Sequence, residues 1–383
     1  MANSTHEVTI VPIELESHPN ADTLSFVNVF GGYTCVVRTQ DWQDVKLGAY
    51  IPPDSLVDTS RPEFLFLAAK ARSDGLHRVK AMKLRGIVSF GLMIPAPEGA
   101  ELGQDVASQL NVTHYEPPMP GEQRASNGLV TGGEVASPPD IFSPKYDLDA
   151  FRKYHTLLIP GEKVWITEKI HGCNARYVYR DGKMHCGSRT EWKKEFPDYS
   201  HVTMDWLRER VFKKVDGNDE SAVKIVDEDR CKAIYDKLHS QVASRNLWWN
   251  ALSQEPEIEK WCRDHPDKVL YGEVFGNVQN LKYGHDQTKT LSIATFDILD
   301  GMRWLNAQEA RDAAPNVPWV PYIGTYDYEF DVVVAFSDGG SLWPGAQHYR
   351  EGCVVKPIIE RNDAHIGRIC LKCVGSTYLE KDK

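Results

Sequence analysis

TEKIHGCNAR, residues 167–176, lies between two apolar runs and carries a single lysine, Lys169. The surrounding pattern predicts a β-strand, on which side chains alternate, so that Lys169 and His171 project to one side and Glu168 to the other. Gly172 then allows a tight turn of the backbone. Because an ammonium group among apolar side chains costs free energy unless it is paired, a lysine at this position needs a partner or a chemical use.

The composition is that of an ordinary water-soluble globular protein. The chain has 383 residues, 42% hydrophobic and 26% charged, which is enough for two or three domains with their own cores. No window approaches the ~20 apolar residues of a membrane helix, and the N-terminal sequence lacks the pattern of a secretory signal. These features predict a cytoplasmic protein without a membrane partner, and we expect a monomer.

The cysteines and the net charge limit the cell compartment and the kinds of nucleic-acid binding that are expected. Eight cysteines over this length fit a reducing compartment, and the one CxxC, Cys370 to Cys373, lies in an apolar stretch typical of a buried strand. A net charge of -10 argues against a protein that coats nucleic acid indiscriminately. One local stretch, residues 70–85, is positively charged and has Asp74 as its single acidic residue. Its basic residues are Lys70, Arg72, Arg78, Lys80, Lys83 and Arg85. Such a cluster indicates either a solvated face or a nucleic-acid contact.

Two structured domains and a linker are predicted. Residues 1–116 read as short strands with turn signals, including Gly31-Gly32 between two apolar runs, which favours a small closed barrel. Residues 117–145 are rich in Pro, Gly and Ser and read as a linker. Residues 146–383 mix strands with helical periodicity over 201–215 and 228–252, after a brief helix within 146–154, and predict an α+β domain.

Several charged residues of the second domain fall on predicted strands. Glu273 and Glu351 each stand next to a glycine, and Arg189, Lys356 and Lys372 add positive charge. If these residues converge with Lys169, they form a cleft suited to phosphate and a divalent cation. The alternative is that they are exposed strand residues paired across a sheet.

The order of these segments resembles the covalent nucleotidyltransferase superfamily of RNA ligases, DNA ligases and messenger-RNA capping enzymes. TEKIHGCNAR resembles its nucleophile motif in the RNA-ligase form. The motifs that follow span the region to about Val374, in the order GSR, YGEVFG, TFDIL, EGCVVKP and ICLKC. The resemblance implies an adenylyltransferase domain over 146–383, built from ATP-grasp-like antiparallel sheets with helices.

The first domain carries a second resemblance. HPNADTLSFVNV, with KLRGIVSFGLMIPAP farther on, is similar to OB barrels that bind transfer RNA. An OB-like barrel in front of the transferase domain resembles the Deinococcus-type RNA ligases. This resemblance makes Lys80, Lys83 and Arg85 candidates for nucleic-acid binding.

The resemblance also implies roles for individual residues. Lys169 would be the nucleophile and Lys372 the contact to the α-phosphate. Glu273 and Glu351 would hold the ribose or a hydrated metal ion, with His171 orienting that shell. The remaining candidates, for contacts to adenosine or phosphates, are Glu168, Asn174, Arg189, Phe296, Asp297 and Lys356, of which Phe296 would stack on adenine.

The implied reaction is ATP-dependent RNA ligation with Mg²⁺ or Mn²⁺. A lysine of ordinary pKa, near 10.4, is protonated at neutral pH, so Lys169 needs neighbours that lower its pKa by roughly two to three units. The implied substrate is a nicked duplex with RNA on the 3′-hydroxyl side. The alternatives are a DNA ligase, a GTP-dependent capping enzyme or a catalytically idle RNA-binding protein. The chain departs from the pattern at Val374, where relatives often have a second lysine.

Overall fold

The computed structural model describes residues 6–115, 129, 132–213, 225–242, 244–284 and 290–381. Contacts between Cα atoms divide the chain into two units. The first unit comprises Met1–Pro117, Asp147–Ile170 and Pro321–Lys383, and the second comprises Pro118–Tyr146 and His171–Val320. The N-terminal segment therefore clusters with two segments of the predicted adenylyltransferase domain.

The N-terminal part of the first unit is built from short strands. They are β1 Thr9–Pro12, β2 Glu16–Ser17, β3 Leu24–Val29, β4 Tyr33–Arg38, β5 Leu47–Ile51, β6 Ser55–Asp58, β7 Leu76–Arg78, β8 Met82–Leu84, β9 Ile87–Ser89, β10 Leu92–Pro95 and β11 Thr113–His114. The helices are α1 Thr39–Trp42, a 3₁₀-helix at Pro62–Lys70 and α2 Ala107–Leu110. The hairpin predicted at Gly31-Gly32 is confirmed, because β3 and β4 pair antiparallel and Phe30 and Gly31 have positive φ.

The rest of the chain supplies the longer strands. They are β12 Asp149–Ala150, β13 Lys163–Lys169, β14 Cys173–Arg180, β15 Lys183–Gly187, β16 Trp192–Lys193, β17 Lys268–Gly276, β18 Leu291–Asp300, β19 Arg303–Trp304, β20 Tyr322–Asp327, β21 Gly352–Pro357, β22 Asn362–Asp363, β23 Gly367–Arg368 and β24 Leu371–Val374. The helices are α3 Phe151–Tyr154, a 3₁₀-helix at His155–Leu157, α4 Met204–Arg208, α5 Glu228–Gln241, α6 Leu247–Gln254, α7 Pro256–Asp264, α8 Ala307–Ala313, α9 Phe330–Ser337 and α10 Ser376–Lys381.

Each unit contains one large mixed or antiparallel sheet with an apolar core on one side. In the first unit the strand order is β12-β24-β21-β13-β20, and the core packs α3 and α9 against the sheet. In the second unit the order is β16-β15-β14-β17-β18-β19, and α6, α7 and α8 cover one side. In the first unit this leaves the other side of the sheet for polar residues. In the second unit a smaller apolar cluster, which includes Val178 and Tyr271, lies on the other side of the sheet.

Two predicted helices are shorter than the periodicity indicates. The helix expected over 201–215 is confined to α4, because Phe212 forms a β-bridge with Val226 and so uses backbone groups that a longer helix would need; residues 214 and 215 lie outside the described part. The helix expected over 228–252 is two helices, since the side chain of Asn246 caps α6 by accepting a hydrogen bond from the Trp248 amide.

Two further segments near the predicted domain boundary differ in detail. The brief helix expected within 146–154 begins at Phe151, after β12. Residues 117–128, 130 and 131 of the predicted linker lie outside the described residues. Residues 132–146 pack within the second unit, where Ala136 accompanies Ile141 and Tyr146 in an apolar cluster.

None of the helices in the described ranges is long and apolar enough to cross a bilayer.

Candidate active site

The first unit presents two lysines on the same side of its five-stranded sheet. Lys169 in β13 lies opposite Gly352, which lies opposite Val374, and the next row consists of Thr167, Val354 and Lys372. Residues opposite each other on paired strands share a side, as do residues two apart. We call this side the lysine face, defined by Thr167, Lys169, Gly352, Val354, Lys372 and Val374.

Lys169 forms an ion pair with Glu351, the residue that immediately precedes β21. Its Nζ lies 2.7 Å from Glu351 Oε1, and the two side chains are only 21% and 10% exposed. A partly buried pair of this geometry is far less screened than a surface pair. The predicted convergence of Lys169 with Glu351 is therefore present within the first unit.

Lys372 brings a second amine to the lysine face. Burial and the positive charge of Lys169 lower the pKa of Lys372, while Glu351 acts in the opposite direction. Asp54 and Asp149 act in the same direction as Glu351. Two amines on one side of a sheet are donors suited to an anionic group such as a phosphate. Mutual repulsion also makes it easier for one of the two amines to lose its proton.

Gly352 allows the strands of the lysine face to approach closely. A Cβ atom at this position would overlap the carbonyl oxygen of Cys373 on β24. Any side chain here would push β24 and its Lys372 away from β21. The glycine that follows Glu351 in the sequence is thus required by the packing of the sheet.

Val374, where relatives often have a second lysine, lies on the lysine face. Val374 lies in the same row as Lys169, so a lysine there would share the lysine face. Val374 and Lys372 also line a cavity of about 140 Å³, together with Arg152 and Lys153. The Nζ of Lys153 is 2.7 Å from Glu7 Oε2.

Glu168 projects to the opposite side of β13, as the alternation predicts. It is 1% exposed, and its carboxylate accepts hydrogen bonds from Ser341 Oγ and from the Leu342 amide, both at 2.6 Å. Burial raises the pKa of Glu168 against the effect of these hydrogen bonds. The structure therefore does not bring this carboxylate to the lysine face.

Lys356 lies on the same side of the sheet as the lysine face but has charged partners of its own. It lies opposite Trp165, is 5% exposed, and its Nζ is 3.4 Å from Glu360 Oε1. Glu360 also accepts a hydrogen bond of 2.6 Å from Arg368. This ionic network occupies Lys356 two rows away from Lys169.

In the second unit, Asn174 and Glu273 lie opposite each other on β14 and β17. The Trp248 indole donates a hydrogen bond to the backbone oxygen of Asn174, which fixes this end of β14. Among the described residues, the side-chain oxygen of Asn174 is buried and meets no hydrogen-bond donor. An unsatisfied buried acceptor beside a carboxylate is the kind of group that a polar ligand completes.

Other predicted residues of the second unit have neighbours of their own. Phe296 packs against the ring of Tyr146, with centroids 4.5 Å apart, and the Tyr146 hydroxyl donates a hydrogen bond to Asp297. The amide of His171 donates a hydrogen bond of 2.7 Å to the Tyr283 hydroxyl oxygen. Arg189 follows β15, at the start of the turn that leads to β16.

The described residues contain no group of three or more His, Cys, Asp and Glu side chains that could hold a metal ion. Mg²⁺ and similar ions are commonly bound by one or two carboxylates together with substrate phosphates and water. Glu351 in the first unit and Glu273 in the second are carboxylates of the type this binding mode uses. Each of these carboxylates, within its own unit, fits a metal ion that arrives with a nucleotide.

The nucleic-acid candidates lie on and beside β8. Lys83 Nζ is 3.2 Å from Glu380 Oε1 in an exposed pair, and Arg85 is exposed with a positive φ. Lys80 is half-buried. The HPNAD and KLRG motifs contact each other through two hydrogen bonds. One joins the His18 ring to the backbone oxygen of Leu84, and in the other the side-chain amide of Asn20 donates to the backbone oxygen of Arg85.

The residues that surround the Glu168 carboxylate were not predicted from the sequence. Ser341, Leu342 and Arg350 precede the EGCVVKP motif and match no pattern of a catalytic group. Their signal would have been spatial, since Ser341 reaches a strand 173 residues away in the chain. Periodicity within one element cannot reveal such a contact.

Comparison with known proteins agrees with this architecture. The profile of the RNA ligase family matches residues 162–374, more than half of the chain, and an OB-fold domain matches residues 8–96. The chain belongs to the RNA ligase family. The predicted α+β fold with an N-terminal OB-fold domain is confirmed.

Solved structures of similar fold include mutants of the Naegleria gruberi RNA ligase. An apo mutant matches with a TM-score of 0.71 and 20% identity, over 99% of this chain and 100% of that chain. A mutant with AMP and Mn matches with a TM-score of 0.71 and 19% identity over the same shares. A mutant with ATP and Mn matches with a TM-score of 0.70 and 19% identity, over 98% of this chain and 99% of that chain. Comparison with curated proteins finds no match.

Proposed function

We propose that this chain is an ATP-dependent RNA ligase that seals nicks in duplex nucleic acid through a covalent intermediate on Lys169. The observation that carries the proposal is the pairing of Lys169 with Glu351 at 2.7 Å, beside Lys372 on the same side of one sheet, in a chain of the RNA ligase family. The Naegleria ligase mutants with ATP and Mn support the choice of nucleotide and metal.

The first step is attack by the neutral amine of Lys169 on the α-phosphorus of ATP. A P–N bond forms, the P–O bond to pyrophosphate breaks, and the amine loses its proton. Lys372 favours this step in two ways, because its positive charge disfavours protonation of Lys169 and attracts the phosphate. A divalent ion bound with ATP would neutralise charge on the phosphoryl oxygens.

The later steps use the same groups for positioning. A 5′-phosphate oxygen attacks the adenylate phosphorus, the P–N bond breaks, and the Lys169 nitrogen regains a proton. The neighbouring 3′-hydroxyl then attacks the 5′-phosphate and AMP leaves. By the family resemblance, Glu273 and Glu351 contact the ribose or the metal with His171 nearby. Asn174, Arg189, Phe296 and Lys356 are the further nucleotide contacts that we propose on the same ground.

Incubation with α-labelled ATP or GTP and Mg²⁺ or Mn²⁺ tests the first step. We expect label on the protein from ATP only, and sealing of a nick with RNA on the 3′-hydroxyl side. Label from GTP would favour a capping enzyme, and sealing of all-DNA nicks with equal efficiency would favour a DNA ligase. Folded protein that takes label from neither nucleotide would leave an RNA-binding protein without catalysis.

We also propose that Lys80, Lys83 and Arg85 bind the phosphates of the duplex, with the chain acting as a monomer. The combined Lys80→Ala and Arg85→Ala variant is expected to bind a nicked duplex more weakly, and the slope of log affinity against log salt should become shallower by about one for each phosphate-binding charge that is removed. Lys163→Ala, which removes an exposed lysine of β13, is the control. An unchanged salt slope in the double variant would remove Lys80 and Arg85 from the interface, and light scattering of the same samples would reveal a dimer.

A further inference from the structure

Glu168 is a buried carboxylate next to the nucleophile in sequence and on the other side of its strand. Its Oε1 accepts from Ser341 Oγ and its Oε2 from the Leu342 amide, each at 2.6 Å. Both oxygens are therefore engaged by residues of the chain itself. A carboxylate among apolar side chains is tolerated only with such partners, so this pair of hydrogen bonds holds the segment firmly.

The segment that Glu168 binds, residues 338–342, also contacts residues next to the other two strands of the site. We call it the brace. Arg350, the residue before Glu351, donates hydrogen bonds to the backbone oxygen of Gly340 at 2.8 and 3.1 Å. Asp338 accepts from the Ser376 hydroxyl at 2.7 Å, just after β24 and its Lys372.

The hydrogen bonds within the brace make it a defined structure. Ser341 Oγ donates to Glu168 and accepts from the Trp343 amide at 3.2 Å, so the hydroxyl is fixed in direction. Gly340 of the brace forms an antiparallel β-bridge with Tyr349, in the segment that leads to β21. Burial opposes ionisation of Asp338, but hydrogen bonds from Ser376 and Thr377 outweigh it and lower its pKa.

We propose that Glu168 is a positioning residue, whose carboxylate holds the brace against the back of the sheet and thereby fixes the geometry of Lys169 and Glu351. This role differs from the nucleotide contact that the family resemblance implies for the same position. It rests on the proposed function in one respect, namely that Lys169 is the nucleophile. The brace contacts Glu168, next to Lys169, and Arg350, next to Glu351. Loss of its hydrogen bonds to Glu168 therefore changes the distance between Lys169 and Glu351.

A double-mutant cycle between Glu168 and Ser341 separates the two roles. Glu168→Ala, Ser341→Ala and the double variant are compared in single-turnover formation of the protein adduct, over a range of ATP concentrations. We expect each single change to lower the maximal rate about tenfold, or about 1.4 kcal/mol, with the ATP concentration for half-saturation unchanged. The double variant should be no slower than Glu168→Ala, because both changes remove the same hydrogen bond.

Conservative variants keep the test valid if alanine variants fold poorly. Ser341→Thr retains the hydroxyl and should restore the rate, and Glu168→Gln retains an acceptor for the Leu342 amide and should lie between wild type and Glu168→Ala. A weaker half-saturation by ATP in Glu168→Ala, with Ser341→Ala equal to wild type, would overturn the positioning role and make Glu168 a nucleotide contact. Additive decreases in rate would overturn it as well. Absence of any adduct in the wild type would instead refute the proposed function.

Discussion

The Lys169→Met variant is expected to form no labelled adduct with ATP and to seal no nick with an ordinary 5′-phosphate, because the nitrogen that bonds phosphorus is absent. Lys169→Arg should fail equally, since a guanidinium stays protonated and is not a nucleophile. Gel analysis of protein labelled from α-labelled ATP measures this directly.

Two controls distinguish loss of the nucleophile from loss of the fold. Lys163→Met changes a lysine at the other end of β13, exposed and paired with Asp327 at 2.8 Å, and should keep full activity. A nick already carrying AMP on its 5′-phosphate needs only the last step, so Lys169→Met should still seal it. An adduct that persists in Lys169→Met would place the nucleophile elsewhere.

Glu351→Gln is expected to slow adduct formation by roughly 100-fold, an effect typical of a charged group that acts in the transition state. The substitution keeps the shape of the side chain but removes the carboxylate 2.7 Å from Lys169. The neutral amide is a poor ligand for a metal ion that accompanies ATP, and this loss is expected to outweigh the easier deprotonation of Lys169 beside an uncharged neighbour. Single-turnover rates at saturating ATP and metal measure the decrease.

The matched control for this change is Glu380→Gln. It also removes the carboxylate of a Lys–Glu pair in the first unit, with Lys83 at 3.2 Å, but both side chains are substantially exposed. An exposed pair contributes little, so adduct formation should stay within about twofold of wild type. Equal rates in Glu351→Gln and Glu380→Gln would show that the pair with Lys169 has no part in the reaction.

The sequence predicts the parts of this site that depend on local pattern. Alternation along β13 correctly separates Lys169 from Glu168, and the order of the motifs identifies the strands that carry Glu351 and Lys372. Strand period and motif order are local properties, so they are readable without coordinates. The family resemblance then implies that residues from strands far apart in the chain converge at one site.

What the sequence could not predict depends on contacts between distant segments. The motif position of Glu168 does not reveal that its carboxylate accepts hydrogen bonds from Ser341 and Leu342. The motif position of Lys356 likewise does not reveal its ion pair with Glu360, which also binds Arg368. The length of α4 was overestimated for the same reason, because a β-bridge from Phe212 to Val226 overrides helical periodicity.

The adjacency of Glu168 and Lys169 makes β13 intolerant of single-residue insertions and deletions. A shift of one position along β13 would turn the amine of Lys169 toward the brace and place the carboxylate of Glu168 on the lysine face. We therefore expect substitutions around this pair to be tolerated better than changes in the length of β13. Divergence of this enzyme is therefore expected to occur by indels in its loops and by point changes in its strands.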